Sequence, residues 1–315
     1  MIQIPDFSDI ENASKQIAQF VHKTPVLSSN LINEIAGCNI VFKCENFQKV
    51  GAFKFRGATN AIQNLSKKEL AKGVCTHSSG NHAQALSLAA KQAGIPAYIV
   101  MPNNAPQVKI DAVRNYNAEI FFCEPTLEAR ERKLNEIQKI TGASFIHPYN
   151  NFHVIAGQGT AAKELLEDVS DLDAIIAPVG GGGLMSGTAI TTKSIYPAIR
   201  IYGAEPKAAD DAKRSLDAGK LIPSLSPKTM ADGLLTSLSD GTFHVLNTHL
   251  NDILTCSEKS IVLAMQYLYE RMKIVVEPSG AVPLACILEN STLFKNQRIG
   301  IIISGGNVDV QRLPF

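Results

Sequence analysis

A chain of 315 residues is long enough to bury a large core, as one big domain or two modest ones. Apolar residues make up 45% and charged residues 19%, which excludes a disordered chain, and a net charge of +1 offers no broad attraction to nucleic acid or anionic membrane. No stretch approaches the roughly 20 apolar residues that span a bilayer, and the opening MIQIPDFSDIENASKQ does not read as a signal peptide.

Taken from the N-terminus, the first segment with chemical promise is Val50–Ala58 (VGAFKFRGA), read as a loop. Lys54 sits there between Phe53 and Phe55, with Arg56 two positions on. An amine close to apolar groups and a second cation is pushed toward its neutral, nucleophilic form. The plain alternative is a lysine that lays its stem on aromatic rings. Next, Thr76–Gln84 (THSSGNHAQ) gathers Ser78, Ser79, Asn81 and His82 ahead of a helix over Ala83–Ala93, stopped by Gly94. Ser79 or Asn81 could cap that helix, but one such residue suffices for a cap, so the cluster also reads as a ligand site.

Ala97–Met101 and Glu119–Phe122 read as buried strands, followed by a helix over Leu127–Ile140 stopped by Gly142. Strand Ala174–Val179 then runs into Gly180, Gly181, Gly182 and Gly183, with a helix starting near Leu184. Bare backbone N–H groups at a helix N-terminus suit a phosphate, whereas four glycines are an entropically costly way to make a turn. A nicotinamide-binding GxGxxG is the rival for this loop. Its third glycine would fall on Met185 or Ser186, although Glu205 does end the next strand, Ile199–Ala204. Ile261, Met265, Leu268 and Met272 form one apolar stripe on a further helix. Finally, strand Ile299–Ile303 leads into Ser304-Gly305-Gly306.

Strands alternating with helices predict an α/β fold, with open, mostly parallel twisted sheets covered by helices on both faces. The segment from about Gly73 to Asn150 holds enough strand–helix units to form a lobe of its own. The six cysteines are scattered without ligand-like spacing, which points to reduced thiols and a cytoplasmic protein.

In this order the segments resemble the fold-type II pyridoxal-phosphate enzymes, in the serine racemase and threonine dehydratase branch. FKFRGA, SSGNHAQA, AGQGT (Ala156–Thr160), PVGGGG, GAEP (Gly203–Pro206) and EPSGA (Glu277–Ala281) all stand in family order. The resemblance implies a tryptophan synthase β-like fold with a large cofactor-binding domain, 1–68 and 151–315, and a small mobile domain, 69–150. It implies that Lys54 carries pyridoxal 5'-phosphate through a Schiff base and moves the α-proton, with Phe53 near the ring. Asn81 would meet the 3-hydroxyl, Gly180 to Gly183 and the Leu184 amide the phosphate, and Ser304 the pyridine nitrogen. Ser79 would be the acid/base on the opposite ring face, as racemisation requires. Ser78, Ser79, His82 and Arg130 would contact substrate. Glu205, the Ala209 carbonyl and Asp211 would bind a divalent cation, Mg²⁺, Ca²⁺ or Mn²⁺.

The implied activity is β-elimination from a hydroxy amino acid, L-threonine or L-serine, to a 2-oxo acid and ammonia. Serine racemisation with a dehydratase side activity and dehydration of 3-hydroxyaspartate are the alternatives, the latter through Arg130. A nicotinamide-dependent oxidoreductase is the remote alternative. Two departures tilt toward the dehydratase: Ala52 replaces a serine common before Phe-Lys, and Ser279-Gly280 follows Glu277-Pro278. Relatives are usually homodimers or homotetramers. The sequence through Phe315 is expected to lack the C-terminal regulatory domain of feedback-inhibited threonine dehydratases.

Overall fold

The computed structural model describes residues 3–78, 80–105 and 107–315. It contains two twisted sheets. The larger is built from β1 (Val26–Ser28), β2 (Asn39–Cys44), β7 (Ala174–Pro178), β8 (Arg200–Pro206), β9 (Asp252–Cys256) and β10 (Arg298–Ile303). Their order is β1-β2-β10-β7-β8-β9, all parallel except β1. The smaller sheet is wholly parallel, from β3 (Val74–His77), β4 (Ala97–Pro102), β5 (Glu119–Cys123) and β6 (Ser144–Phe145), in the order β5-β4-β3-β6.

The apolar strands are apolar throughout because both faces are covered. Along β10, Ile299, Ile301 and Ile303 enter one core while Ile302 enters the other. β7 divides likewise, with Ala174 and Ile176 on one face and Ile175 and Ala177 on the opposite one. The five strands expected from the sequence are all present with ends moved by a residue or two. The expectation that Glu119–Phe122 is buried is corrected: β5 is the edge strand of the smaller sheet and Phe122 is 43% exposed.

Two further expectations need correction. Val50–Ala58 is not a loop: a short turn over Lys49–Gly51 leads into a helix, Lys54–Gln63, of which Lys54 is the first residue. The stripe from Ile261 to Met272 also does not lie on one regular helix. The α-helix Glu258–Tyr267 passes into a π-helical turn, Leu268–Met272. Met272 still packs against the core that Ile261, Met265 and Leu268 enter, but from the wider turn it is only half-buried while those three are buried.

Strand order positions the site. From β7 the chain moves outward through β8 to β9, while β10 lies on β7's other side. The carboxyl ends of β7 and β10 therefore flank a crevice, the place where open α/β sheets bind ligands. β7 delivers the four glycines there, β10 delivers Ser304, and β2, next to β10, leads to Lys54. No helix among the described residues is long and apolar enough to cross a membrane.

Candidate active site

The crevice continues into a cavity of about 550 Å³ whose lining comes from both sheets. Lys54 reaches it from the first position of its helix. The segment before it is stitched to the β10 loop. Phe53 N donates to Ser304 O at 3.0 Å, Gly306 N donates to Gly51 O at 2.9 Å, and Ala52 bridges Gly305. Val50 holds a left-handed φ of 57°, strained for a β-branched residue, and Asn307 Nδ2 secures it by donating to Val50 O at 2.7 Å.

Burial lowers the Lys54 amine to about 8, and the Glu277 carboxylate partly opposes that fall. The amine donates to Pro148 O at 2.9 Å and lies 5.0 Å from the Phe53 ring centroid. Arg56 has no part in this shift, contrary to the expectation of a neighbouring cation. Its fully buried guanidinium is forked onto Glu45, at 2.7 and 2.8 Å, and onto Glu164, at 2.7 and 2.8 Å. Lys43, also fully buried, completes the cluster with a 2.6 Å bond to Glu164. Two cations and two carboxylates thus neutralise one another behind the helix that carries Lys54.

Opposite Lys54 lie the four glycines. Gly182, at φ 84°, is the residue before a 13-residue helix, Gly183–Ile195, whose first N–H groups have no partner within the helix. Gly181 answers to a second demand. A Cβ there would come within 2.3 Å of the Tyr149 ring, which packs flat against the loop. Leu184 and Ser304 also line the cavity, as does Phe53.

Asn81, Ser78 and His82 approach from the smaller sheet, following β3. The helix there opens at Asn81 with Gly80 as its cap and no side-chain capping bond, so Asn81 is not a cap. Its Nδ2 donates instead to both oxygens of Glu277, at 2.8 and 3.1 Å. Ser78 Oγ accepts from Gly80 N at 3.3 Å and so shapes the loop as well as facing the cavity. Ser79 lies outside the described residues. His82 Nε2 donates to Ile146 O at 3.0 Å, which leaves Nδ1 buried without a partner. Burial first, then the Lys54 charge, lowers His82 to about 3, so its ring is neutral. His147 is neutral too, held at about 4 by burial, and its Nδ1 accepts from Asn150 N at 2.9 Å.

Arg130, in the first turn of the helix Leu127–Thr141, lines the cavity instead of facing solvent. Its Nε is buried and has no hydrogen-bond partner. Two further lining residues, Lys109 and Asp232, form an ion pair across the mouth. The sequence carried no signal for that pair. Nor did it assign a role to Glu277, although EPSGA was visible, or to Tyr149.

Glu205, near the end of β8, and Ala209 and Asp211 beyond it lie apart from the cavity. Glu205 is buried and accepts from Ala212 N at 3.1 Å and Lys213 N at 2.8 Å. Glu205 does not line the cavity that the glycines face, which removes the support it lent to a nicotinamide site. Both Asp211 oxygens are buried without a hydrogen-bond partner. Burial pushes Glu205 well above the carboxylate range and Asp211 up to about 6. Two such acids side by side fit a cation. No group of three or more His, Cys, Asp or Glu side chains among the described residues is arranged to hold a metal, so carbonyl and water oxygens would have to complete the shell. That donor set suits a hard ion.

Comparison with known proteins agrees with this geometry. Residues 17–305 match the family profile described as "Pyridoxal-phosphate dependent enzyme". The chain is 50% identical over 312 residues to a beta-hydroxyaspartate dehydratase of Paracoccus denitrificans, covering 99% of each chain. It is 46% identical to an L-threo-3-hydroxyaspartate ammonia-lyase of Saccharomyces cerevisiae, covering 98% of this chain and 96% of that one. The crystal structure of a serine racemase from Dictyostelium discoideum superposes with a TM-score of 0.93 at 50% identity, covering 97% of this chain and 99% of that one.

Proposed function

Because this chain belongs to the pyridoxal-phosphate-dependent enzymes, we propose that it eliminates water from a β-hydroxy amino acid to give an enamine, which a water molecule then hydrolyses to a 2-oxo acid and ammonia. The observation that carries the reading is the desolvated Lys54 amine facing a cup of free glycine N–H groups across one cavity. Bound pyridoxal phosphate supplies an electron sink for the pair left on Cα when its proton departs.

The chain's own residues do the rest. Lys54, kept partly neutral by burial, holds the cofactor and then takes the α-proton. Gly180 to Gly183 and the Leu184 amide hold the phosphate, aided by the helix N-terminus. The Ser304 hydroxyl, which lines the cavity, would serve the pyridine nitrogen. A hydroxyl keeps no proton there, which weakens the sink and favours loss of a β-substituent over transamination. Phe53 packs near the ring and Asn81 serves the 3-oxygen. Ser78 and His82 flank the substrate, and His82 offers it the unpaired acceptor Nδ1.

Among hydroxy amino acids, the unpaired Arg130 Nε favours 3-hydroxyaspartate over L-serine and L-threonine, because only the former brings a second carboxylate. Both relatives named for hydroxyaspartate support this choice. Incubation with L- and D-serine, L-threonine and both 3-hydroxyaspartate diastereomers, with product analysis for oxaloacetate, pyruvate and 2-oxobutyrate, tests it. Oxaloacetate is the expected main product. A protein that stays colourless and inactive after addition of pyridoxal phosphate would defeat the whole reading.

Serine racemisation is the second reading, supported by the likeness to the Dictyostelium enzyme. It needs Ser79 as the proton donor on the far face. Ser79→Ala should suppress formation of D-serine while sparing elimination, and equal loss of both would remove Ser79 from that role.

Glu205, Asp211 and the Ala209 carbonyl would hold Mg²⁺, Ca²⁺ or Mn²⁺. None of the three lines the cavity, so the ion would brace the loop after β8 without touching substrate. Residues 69–150 would move as a small domain against 1–68 and 151–315. A cytoplasmic homodimer or homotetramer completes the proposal, in keeping with six free cysteines.

A further inference from the structure

Asn81 does not present a freely rotating amide to the cavity, and the reason lies 196 residues away. Glu277 precedes the helix Pro278–Glu289, and its carboxylate, 3% exposed, accepts from Asn81 Nδ2 through both oxygens. On the other side, Asn81 Oδ1 accepts from Asn307 Nδ2 at 2.9 Å, and the same nitrogen donates to Val50 O at 2.7 Å. A backbone carbonyl can only accept, so Val50 determines which end of the Asn307 amide is nitrogen. With Asn307 Nδ2 turned to Val50 O, the end of Asn81 that meets Asn307 must be Oδ1, so Asn81 Nδ2 faces Glu277. Burial raises the Glu277 carboxyl to about 7, and above that pH it is acceptor-only. Both ends of the relay require one orientation. The Asn81 carbonyl is used by Asn307 and one N–H by Glu277, which leaves the second N–H for the cavity that Asn81 lines.

We propose that Glu277 is a positioning residue: it locks the Asn81 amide so that a donor, never a carbonyl, meets the cofactor's 3-oxygen. This rests on the reading that pyridoxal phosphate occupies the cavity. Space for Glu277 is built in, since a Cβ on Gly305 would approach its Oε1 to 2.7 Å. Lys54, Lys109 and Asp232 are the charged groups that bear on the carboxylate or feel it, and none of them is hydrogen-bonded to it. Its only side-chain hydrogen-bond donor among the described residues is Asn81. The same contact joins the smaller sheet's loop to the larger sheet.

Glu277→Gln tests this, because it keeps the shape and removes the obligatory acceptor. Apo-protein is titrated with pyridoxal phosphate, and the visible absorption band of the loaded protein is followed from pH 6 to 10. Glu277→Gln should weaken binding by about tenfold and displace the band's pH midpoint. Combined with Asn81→Ala, it should add little, because a residue acting through Asn81 has nothing left to orient. Unchanged affinity and spectrum in Glu277→Gln would overturn the proposal, as would a full additional loss in the Asn81→Ala background. Should Glu277→Gln not fold, Asn307→Ala frees the amide from its other end. It must then displace the band in the same way, and a wild-type band there would equally overturn the proposal. Borohydride reduction of the wild-type protein separates the two layers. If mass analysis finds no pyridoxyl group on Lys54, the functional reading itself falls, whatever Glu277 does.

Discussion

Lys54 owes its reactivity to what it lacks. Removed from water and, among the described residues, hydrogen-bonded to the Pro148 carbonyl, its charged form is disfavoured, and burial lowers the amine to about 8. About a tenth is then neutral at pH 7 and half at pH 8. Capture of pyridoxal phosphate by the apo-protein should accelerate roughly fivefold over that interval and level off above pH 9. Stopped-flow absorbance would follow it, and a rate still climbing steeply at pH 10 would mean an ordinary lysine. Arg130 permits a second residue-scale prediction. Arg130→Met should raise KM for 3-hydroxyaspartate by about tenfold or more, while KM for L-serine moves little, since one charged hydrogen bond serves only the dicarboxylate. Equal changes for both substrates would place Arg130 away from the second carboxylate.

At the scale of elements, the loop between β7 and the helix Gly183–Ile195 serves two masters. Its N–H groups would face the phosphate in the proposed function, and its lack of side chains must admit the Tyr149 ring. Gly181→Ala should therefore lower cofactor affinity by displacing either the loop or the ring. In a Tyr149→Ala background the same substitution should cost much less. Equilibrium titration of the four proteins gives the coupling, and a cost that stays constant would show that Tyr149 has no part in it. The Lys54 helix shows another division of labour. Phe55, Ala58, Ala61 and Ile62 join the smaller sheet's core, while Arg56 is clamped by Glu45 and Glu164. The reactive lysine is thus carried on an element gripped from both sides.

Across the whole molecule, the cavity exists because two sheets meet with their carboxyl ends facing. Lys109–Asp232 and Asn81–Glu277 are two of the polar contacts that join residues on the cavity's two sides. Glu205 in β8 and Asp211 beyond it stand outside this arrangement, and under the proposed cation binding they would act on stability. Millimolar Mg²⁺, Ca²⁺ or Mn²⁺ should raise Tm by mass action, EDTA should lower it, and Asp211→Asn should abolish the response. Differential scanning fluorimetry decides the matter. A Tm indifferent to all three ions and to EDTA would leave Glu205 and Asp211 as a buried acid pair without a cation.

Much was legible from local pattern. Unbroken apolar runs marked the strands of the larger sheet because both of its faces are covered, and consecutive glycines marked the turn where β7 runs into a helix N-terminus at the cavity. Short strands were not legible: β1 has three residues and β6 two, too few for any periodicity. By itself the sequence determined the α/β class, the order of the loops and the types of residue they carry, since burial period and backbone freedom are properties of neighbours in the chain. Only the tertiary structure decided that Lys54 opens a helix, that Arg56 is spent on Glu45 and Glu164, that Arg130 enters the cavity and that Glu277 grips Asn81. Those outcomes depend on strand order and on how the two sheets dock, which bring together side chains that no local pattern relates.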